Sequence, residues 1–93
     1  LMVTGMGIKS EWDANVRLRG AANAPELFGR VSLVRGDYDF AGKRFQLTRG
    51  DIRFQGGYPP DPIINVAAEN ASSGFTAQLS IEGTAQRPQI RFS

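Results

Sequence analysis

Four aspartates, Asp37, Asp39, Asp51 and Asp61, fall in one stretch with Arg35, Arg44, Arg49 and Arg53. Grouped carboxylates are the residue type that binds calcium or cleaves glycosidic bonds as an acid–base pair. Two of them belong to a doubled Arg-Gly-Asp, "RGDYDF" at 35–40 and "RGDIRF" at 49–54. An Arg-Gly-Asp held out on a turn is an adhesive ligand, although three residues specify little by themselves. The chain has no His and no Cys. That removes the commonest general base, the thiol nucleophile, thiolate zinc sites and disulfides. Alternation turns Asp37 and Asp39 away from Tyr38 and Phe40, and arginines lie close in sequence. A solvated, charge-balanced face accounts for all of them, and no enzyme activity, metal or cofactor is expected.

Other short patterns carry less. "NAS" at 70–72 matches a glycosylation acceptor, which matters only in a eukaryotic secretory setting. "TGMG" at 4–7 has no phosphate-loop lysine and no helix after it, so it reads as glycine within a strand. The net charge is +2, and nine of the eleven basic residues are arginines scattered along the chain. No nucleic-acid partner is expected from so diffuse a footprint. No apolar run approaches the ~20 residues of a membrane-spanning helix.

Glycines from Gly5 to Gly83 break every helical window, while period-two alternation recurs. "EWDANVRLRG" sets Trp12, Ala14, Val16 and Leu18 against Asp13, Asn15, Arg17 and Arg19. "FTAQLSIEG" sets Phe75, Ala77, Leu79 and Ile81 against Thr76, Gln78, Ser80 and Glu82. The pattern predicts an all-β antiparallel meander of about nine short strands, near 2–8, 12–19, 27–34, 37–40, 44–48, 51–55, 63–68, 75–82 and 89–92. The sheet is expected to curve, with one apolar concave face and no helices.

Loop parity supports this reading, because opposed residues of an antiparallel pair share a face. Two-residue turns at Arg35-Gly36 and Arg49-Gly50 would oppose Leu33 to Tyr38, Val31 to Phe40, Leu47 to Ile52 and Phe45 to Phe54. An Ala41-Gly42 turn would oppose Tyr38 to Phe45. Longer loops would bring Leu18 to Leu27, Ala68 to Phe75 and Ile81 to Ile90. The first hairpin and the Ile63-Ile64 pair leave the register open. The inferred apolar face holds Trp12, Val16, Leu18, Val31, Leu33, Tyr38, Phe40, Phe45, Leu47, Ile52, Phe54, Phe75, Leu79, Ile81, Ile90 and Phe92. Without amphipathic helices to cover it, it must close on itself, pair with another copy, or form a trough for an apolar ligand.

The order of motifs from "PELFGRVSLVRGDYDFAGKRFQLTRGDIRFQGGYPPDPIINVAAE" to "LSIEGTAQRPQIRFS" resembles the C-terminal conserved domain of TamB-like proteins. The match is strong over residues 25–93 and loose over 1–24, where only "W" and "L-R-G" correspond. The resemblance implies a piece, residues 1–93, of a longer repetitive β-groove (β-taco) protein of Gram-negative envelopes. Such proteins are anchored in the inner membrane, run through the periplasm and meet an Omp85-class outer-membrane barrel (TamA-like). The anchor and the barrel-engaging segment would lie outside this stretch. It also implies a non-enzymatic role in the translocation and assembly module. The groove would shield phospholipid, or nascent outer-membrane proteins such as autotransporters, as cargo. On that reading Val31, Leu33, Tyr38, Phe40, Phe45, Leu47, Ile52, Phe54, Phe75, Leu79 and Ile81 line the groove. The alternative is an interaction module that adds a strand to its barrel partner. Raw edge strands or apolar faces could also pair two copies as a homo-oligomer.

Overall fold

A computed structural model describes residues 1–72 and 75–92, with the side chains of residues 71, 72 and 75 outside the description. Alternating residues form seven strands: β1 (Met2–Gly5), β2 (Ile8–Ala21), β3 (Ala24–Phe40), β4 (Lys43–Gln55), β5 (Ile63–Ser72), β6 (Phe75–Thr84) and β7 (Arg87–Phe92). They pair in sequence order as one antiparallel meander, and no helix occurs among the described residues. The predicted class holds, but seven strands replace the expected nine.

The difference lies at the two Arg-Gly pairs. Arg35-Gly36 and Arg49-Gly50 are not turns; each sits inside a long strand, so 27–34 joins 37–40 in β3 and 44–48 joins 51–55 in β4. The pairings of Leu33 with Tyr38, Val31 with Phe40, Leu47 with Ile52 and Phe45 with Phe54 are therefore absent. Instead Val31 opposes Ile52, and the same offset resumes beyond the Arg-Gly level at Tyr38–Phe45.

What the sequence showed was a slip in alternation, and a slip has two physical causes. A two-residue turn produces one, and so does a single extra residue in a continuous strand. Here β3 shifts against β2 between Glu11–Arg35 and Trp12–Leu33, leaving Val34 unpaired with β2. β4 shifts against β5 between Leu47–Ala68 and Arg49–Ala67, leaving Thr48 over. The two bulges lie at one level of the sheet, so both strands change phase together and keep their apolar residues on one side.

Other connections follow the parity argument more closely. Tyr38 opposes Phe45, Leu18 opposes Leu27 and Ile81 opposes Ile90, as expected. Ala68 meets Leu79 rather than Phe75, because β5 continues to Ser72 and pairs Ser72 with Phe75. Parity survives that shift. Ile64 pairs with Ile52 and with Gly83, while Ile63 pairs with Arg53 and points the other way.

"TGMG" is corrected from strand glycine to a hairpin: Gly5 pairs with Ile8 across Met6-Gly7. Both turn residues have positive φ, 52° and 88°, as have Ala41 and Gly42 at 53° and 78°. Two positive φ values define the hairpin turn whose twist matches the strands, and Asn or Gly suits its first position. Met6 and Ala41 therefore carry strain. Met6→Asn or Ala41→Gly should each stabilise the chain by about 0.5–1 kcal/mol, read as a rise of a few degrees in thermal midpoint by circular dichroism.

Residues 56–62 leave the sheet, as three prolines require. The loop is tied down at both ends. Gly57 N–H donates to Glu26 Oε1 at 2.6 Å, and Gln86 N–H donates to Asp61 Oδ1 at 2.9 Å.

No second layer covers this sheet among the described residues. Its exposed area is 6707 Å², against about 5,300 Å² for a compact monomer of this mass. Its radius of gyration is 15.1 Å, against about 12 Å for an ordinary domain of this length.

Candidate functional site

Pairing register, followed from strand to strand, sorts the side chains into two faces. One row runs Ala14, Val31, Ile52, Ile64, Gly83, Pro88 across six strands. The next holds Gly50, Val66, Ile81 and Ile90, and beyond it lie Leu47, Ala68, Leu79 and Phe92. Ile8, Tyr38 and Phe45 form a row nearer the β1 hairpin. Every residue expected to line a groove falls on this face by register. For Phe75 this rests on backbone pairing alone, its side chain being outside the description.

The rows alternate bulky residues with glycine. Trp12 opposes Leu33, and its ring reaches past β3 to Gly50, where an added Cβ would stand 2.7 Å from Trp12 Cη2 and 2.6 Å from Leu33 Cβ. At Gly36 an added Cβ would meet Leu47 Cδ1 at 2.7 Å and Ser10 Cβ at 2.8 Å. The Arg-Gly glycines are thus places of close approach on the apolar side. Trp12 is fixed further by Nε1–H donating to Ser10 Oγ at 2.9 Å, while the Ser10 hydroxyl donates to the Val3 carbonyl at 3.3 Å. These bonds satisfy Ser10, which is 2% exposed and the one polar residue buried among those described. Tyr38 stacks on Phe40 with ring centroids 5.8 Å apart and tilts against Phe45 at 6.4 Å.

Burial is greatest mid-sheet and falls toward the margins. Leu33, Val31, Phe45, Leu47, Ile52, Phe54, Leu79 and Ile81 are half-buried by their neighbours in the same sheet. Leu18, Phe40, Ile90 and Phe92 are exposed, Phe92 at 78%. Sequence reasoning placed Trp12 on the apolar face and opposed Ala68 to Phe75, but left Ile64 open, did not name Val66 and did not foresee the role of Ser10. The available signal was the shift of phase at each Arg-Gly, which a bulge explains as well as a turn.

The opposite face carries the charge. Its ion pairs include Arg35–Glu11 at 3.0 Å, Arg44–Asp39 at 3.1 Å, Arg30–Asp51 at 3.4 Å and Arg49–Glu82 at 3.7 Å. Asp37 and Asp39 point away from the apolar side, as expected. No group of three potential metal ligands exists among the described residues. The Asp39 hydrogen bond, then the charges of Asp39 and Asp37, raise the Arg44 pKa above its ordinary value. Arg44 is exposed, so Arg44→Ala should leave the midpoint of a denaturant titration essentially unchanged. The Asn70 side-chain amide donates to the Arg44 carbonyl at 2.8 Å, which occupies the nitrogen of the "NAS" pattern. Both Arg-Gly-Asp strings lie within strands rather than at hairpin tips, so neither is displayed as an adhesive loop.

Fold and face together define an open, two-faced antiparallel β-sheet, apolar on one side and charged on the other. The family model of the TamB C-terminal domain matches residues 1–93, and the chain belongs to that family. Family membership thus extends through residues 1–24, where the motif resemblance was loose. The family is one of cell-envelope proteins of the translocation and assembly module, with a part in outer-membrane biogenesis and an association with TamA. It is not known as an enzyme family. A search of curated proteins finds no match.

Proposed function

We propose that this sheet is a section of a periplasmic β-trough whose apolar face shields apolar cargo, acyl chains or nascent outer-membrane strands, on its way between the two membranes. The observation that supports the reading is a set of apolar rows spanning β2–β7 with no covering layer among the described residues. Contiguous exposed apolar surface of this extent marks an interaction site rather than a finished core. The inner-membrane anchor and the barrel partner belong to the longer protein in this reading. Phe75, with Leu79 and Ile81, takes its place in the lining.

Native mass spectrometry of the purified chain is the direct test. Co-purified phospholipid, displaced by a long-chain detergent, supports shielding of acyl chains. A lipid-free chain that instead captures a peptide from an outer-membrane barrel strand supports protein cargo. A chain that binds neither, with its apolar face closed against a second copy in solution, would sink the reading.

Strand addition to the barrel partner is the second reading, favoured by exposure of β7 along all six residues. It rests on main-chain bonding, so proline within β7 should weaken capture of the barrel more than charge on the apolar face does.

A further inference from the structure

Around the Arg30–Arg53 pair lies a shallow depression lined by Arg17, Arg30 and Arg53, with Asn15, Gln55, Phe28, Gly29 and Phe54. Gly29 has a φ of 135° there, and an added Cβ would meet the Asn15 carbonyl oxygen and Val16 Cα. The lining has no carboxylate. Its polar side chains offer guanidinium and amide N–H donors beside two phenylalanines, and their only acceptors are the two amide oxygens.

The charges here are not balanced as they are elsewhere on this face. Arg30 and Arg53 are directly opposed on neighbouring strands, an arrangement that costs stability between like charges. Asp51 serves both, at 3.4 Å from Arg30 and 3.8 Å from Arg53, so one carboxylate faces two guanidinium groups. Their side chains are 56% and 47% exposed, which leaves N–H groups open to a ligand. Arg17 has no ion pair among the described residues. Asp13 lies two rows from Arg17, opposite Ser32, and Glu26, one row away opposite Arg19, accepts the Gly57 N–H through Oε1.

We infer that this depression is a site for a phosphate-class oxyanion, held by Arg17, Arg30 and Arg53. Several guanidinium forks around one pocket match the multiple oxygens of a phosphate, and charge-assisted bonds to them are the stronger kind. The ligand would relieve the repulsion between Arg30 and Arg53 that Asp51 only half offsets. The three arginines project from the face opposite the apolar one, so their anion binding is tested separately from the cargo reading.

Two probes separate the sources of such a group. Inorganic phosphate is titrated into the whole chain by calorimetry, and vesicles of phosphatidylglycerol in phosphatidylcholine are co-sedimented against phosphatidylcholine alone. Arg30→Gln with Arg53→Gln should weaken whichever probe binds by at least about tenfold, and Arg17→Gln by about threefold. Lys43→Gln with Arg91→Gln removes the same charge elsewhere and should leave binding within about twofold, with binding itself falling as salt rises. Phosphate binding identifies a free anion, and vesicle binding without it identifies a headgroup. Binding of neither probe, or an equal loss in the Lys43/Arg91 variant, would overturn the site. Circular dichroism of each variant shows whether a loss belongs to folding instead.

Discussion

Leu47→Arg and Phe54→Asp should each lower photo-crosslinking of an acyl-chain probe to the apolar face by at least about tenfold, while the sheet remains folded. Leu47 shares a row with Ala68, Leu79 and Phe92, and Phe54 opposes Gly29. A charge at either place must stay hydrated, so it holds water where the cargo's hydrocarbon would lie. Placing an unpaired ion against hydrocarbon costs several kcal/mol, more than a tenfold loss requires. The free sheet tolerates the same change better. Both side chains are only half-buried, so their substitution should cost about 1–3 kcal/mol of stability. Arg44→Ala, on the charged face, is the control and should crosslink as the unaltered chain does. Equal crosslinking in all three variants would mean that cargo does not meet this face.

How much of this was legible in the sequence depends on which physical signal each feature leaves. Alternation fixes which residues share a face, and the members chosen from it do share one. It does not fix topology where a phase slip occurs. Leu33 and Tyr38 are on the same side whether a turn or the Val34 bulge separates them. Arg-Gly is a poor pair for a two-positive-φ turn, and that was the local hint for the bulge. Met6-Gly7 was missed because Met at positive φ contradicts its propensity, and "TGMG" looks no more turn-like than "RG". Neither the Trp12–Gly50 approach nor the Arg17–Arg30–Arg53 depression leaves a sequence signal. Each joins residues from three strands, and only register brings them together.

Gly50→Val tests the central contact, because two rules give opposite signs there. Gly inside a strand weakens it, so a β-branched replacement should stabilise by about 0.5–1 kcal/mol on propensity alone. Contact says otherwise. The new Cβ would lie 2.6 Å from Leu33 Cβ and 2.7 Å from Trp12 Cη2, distances that real Cβ atoms do not keep. Overfilling a site of this kind costs about 1–3 kcal/mol, and valine adds two methyls beyond the Cβ, so contact should win. The expected result is a net loss of about 1–3 kcal/mol by urea titration. Combining it with Trp12→Ala separates the causes: removing the ring removes two of the three nearest contacts and leaves the one to Leu33, so the double variant should lose less than the sum by at least about 0.5 kcal/mol. Additive losses would place the cost on Leu33 and the bulged backbone. A neutral or stabilising Gly50→Val would mean that the ring does not rest there. Position 50 would then be glycine for a reason other than the approach of β2 across β3, and the apolar face would lose the contact that joins its two halves at the bulges.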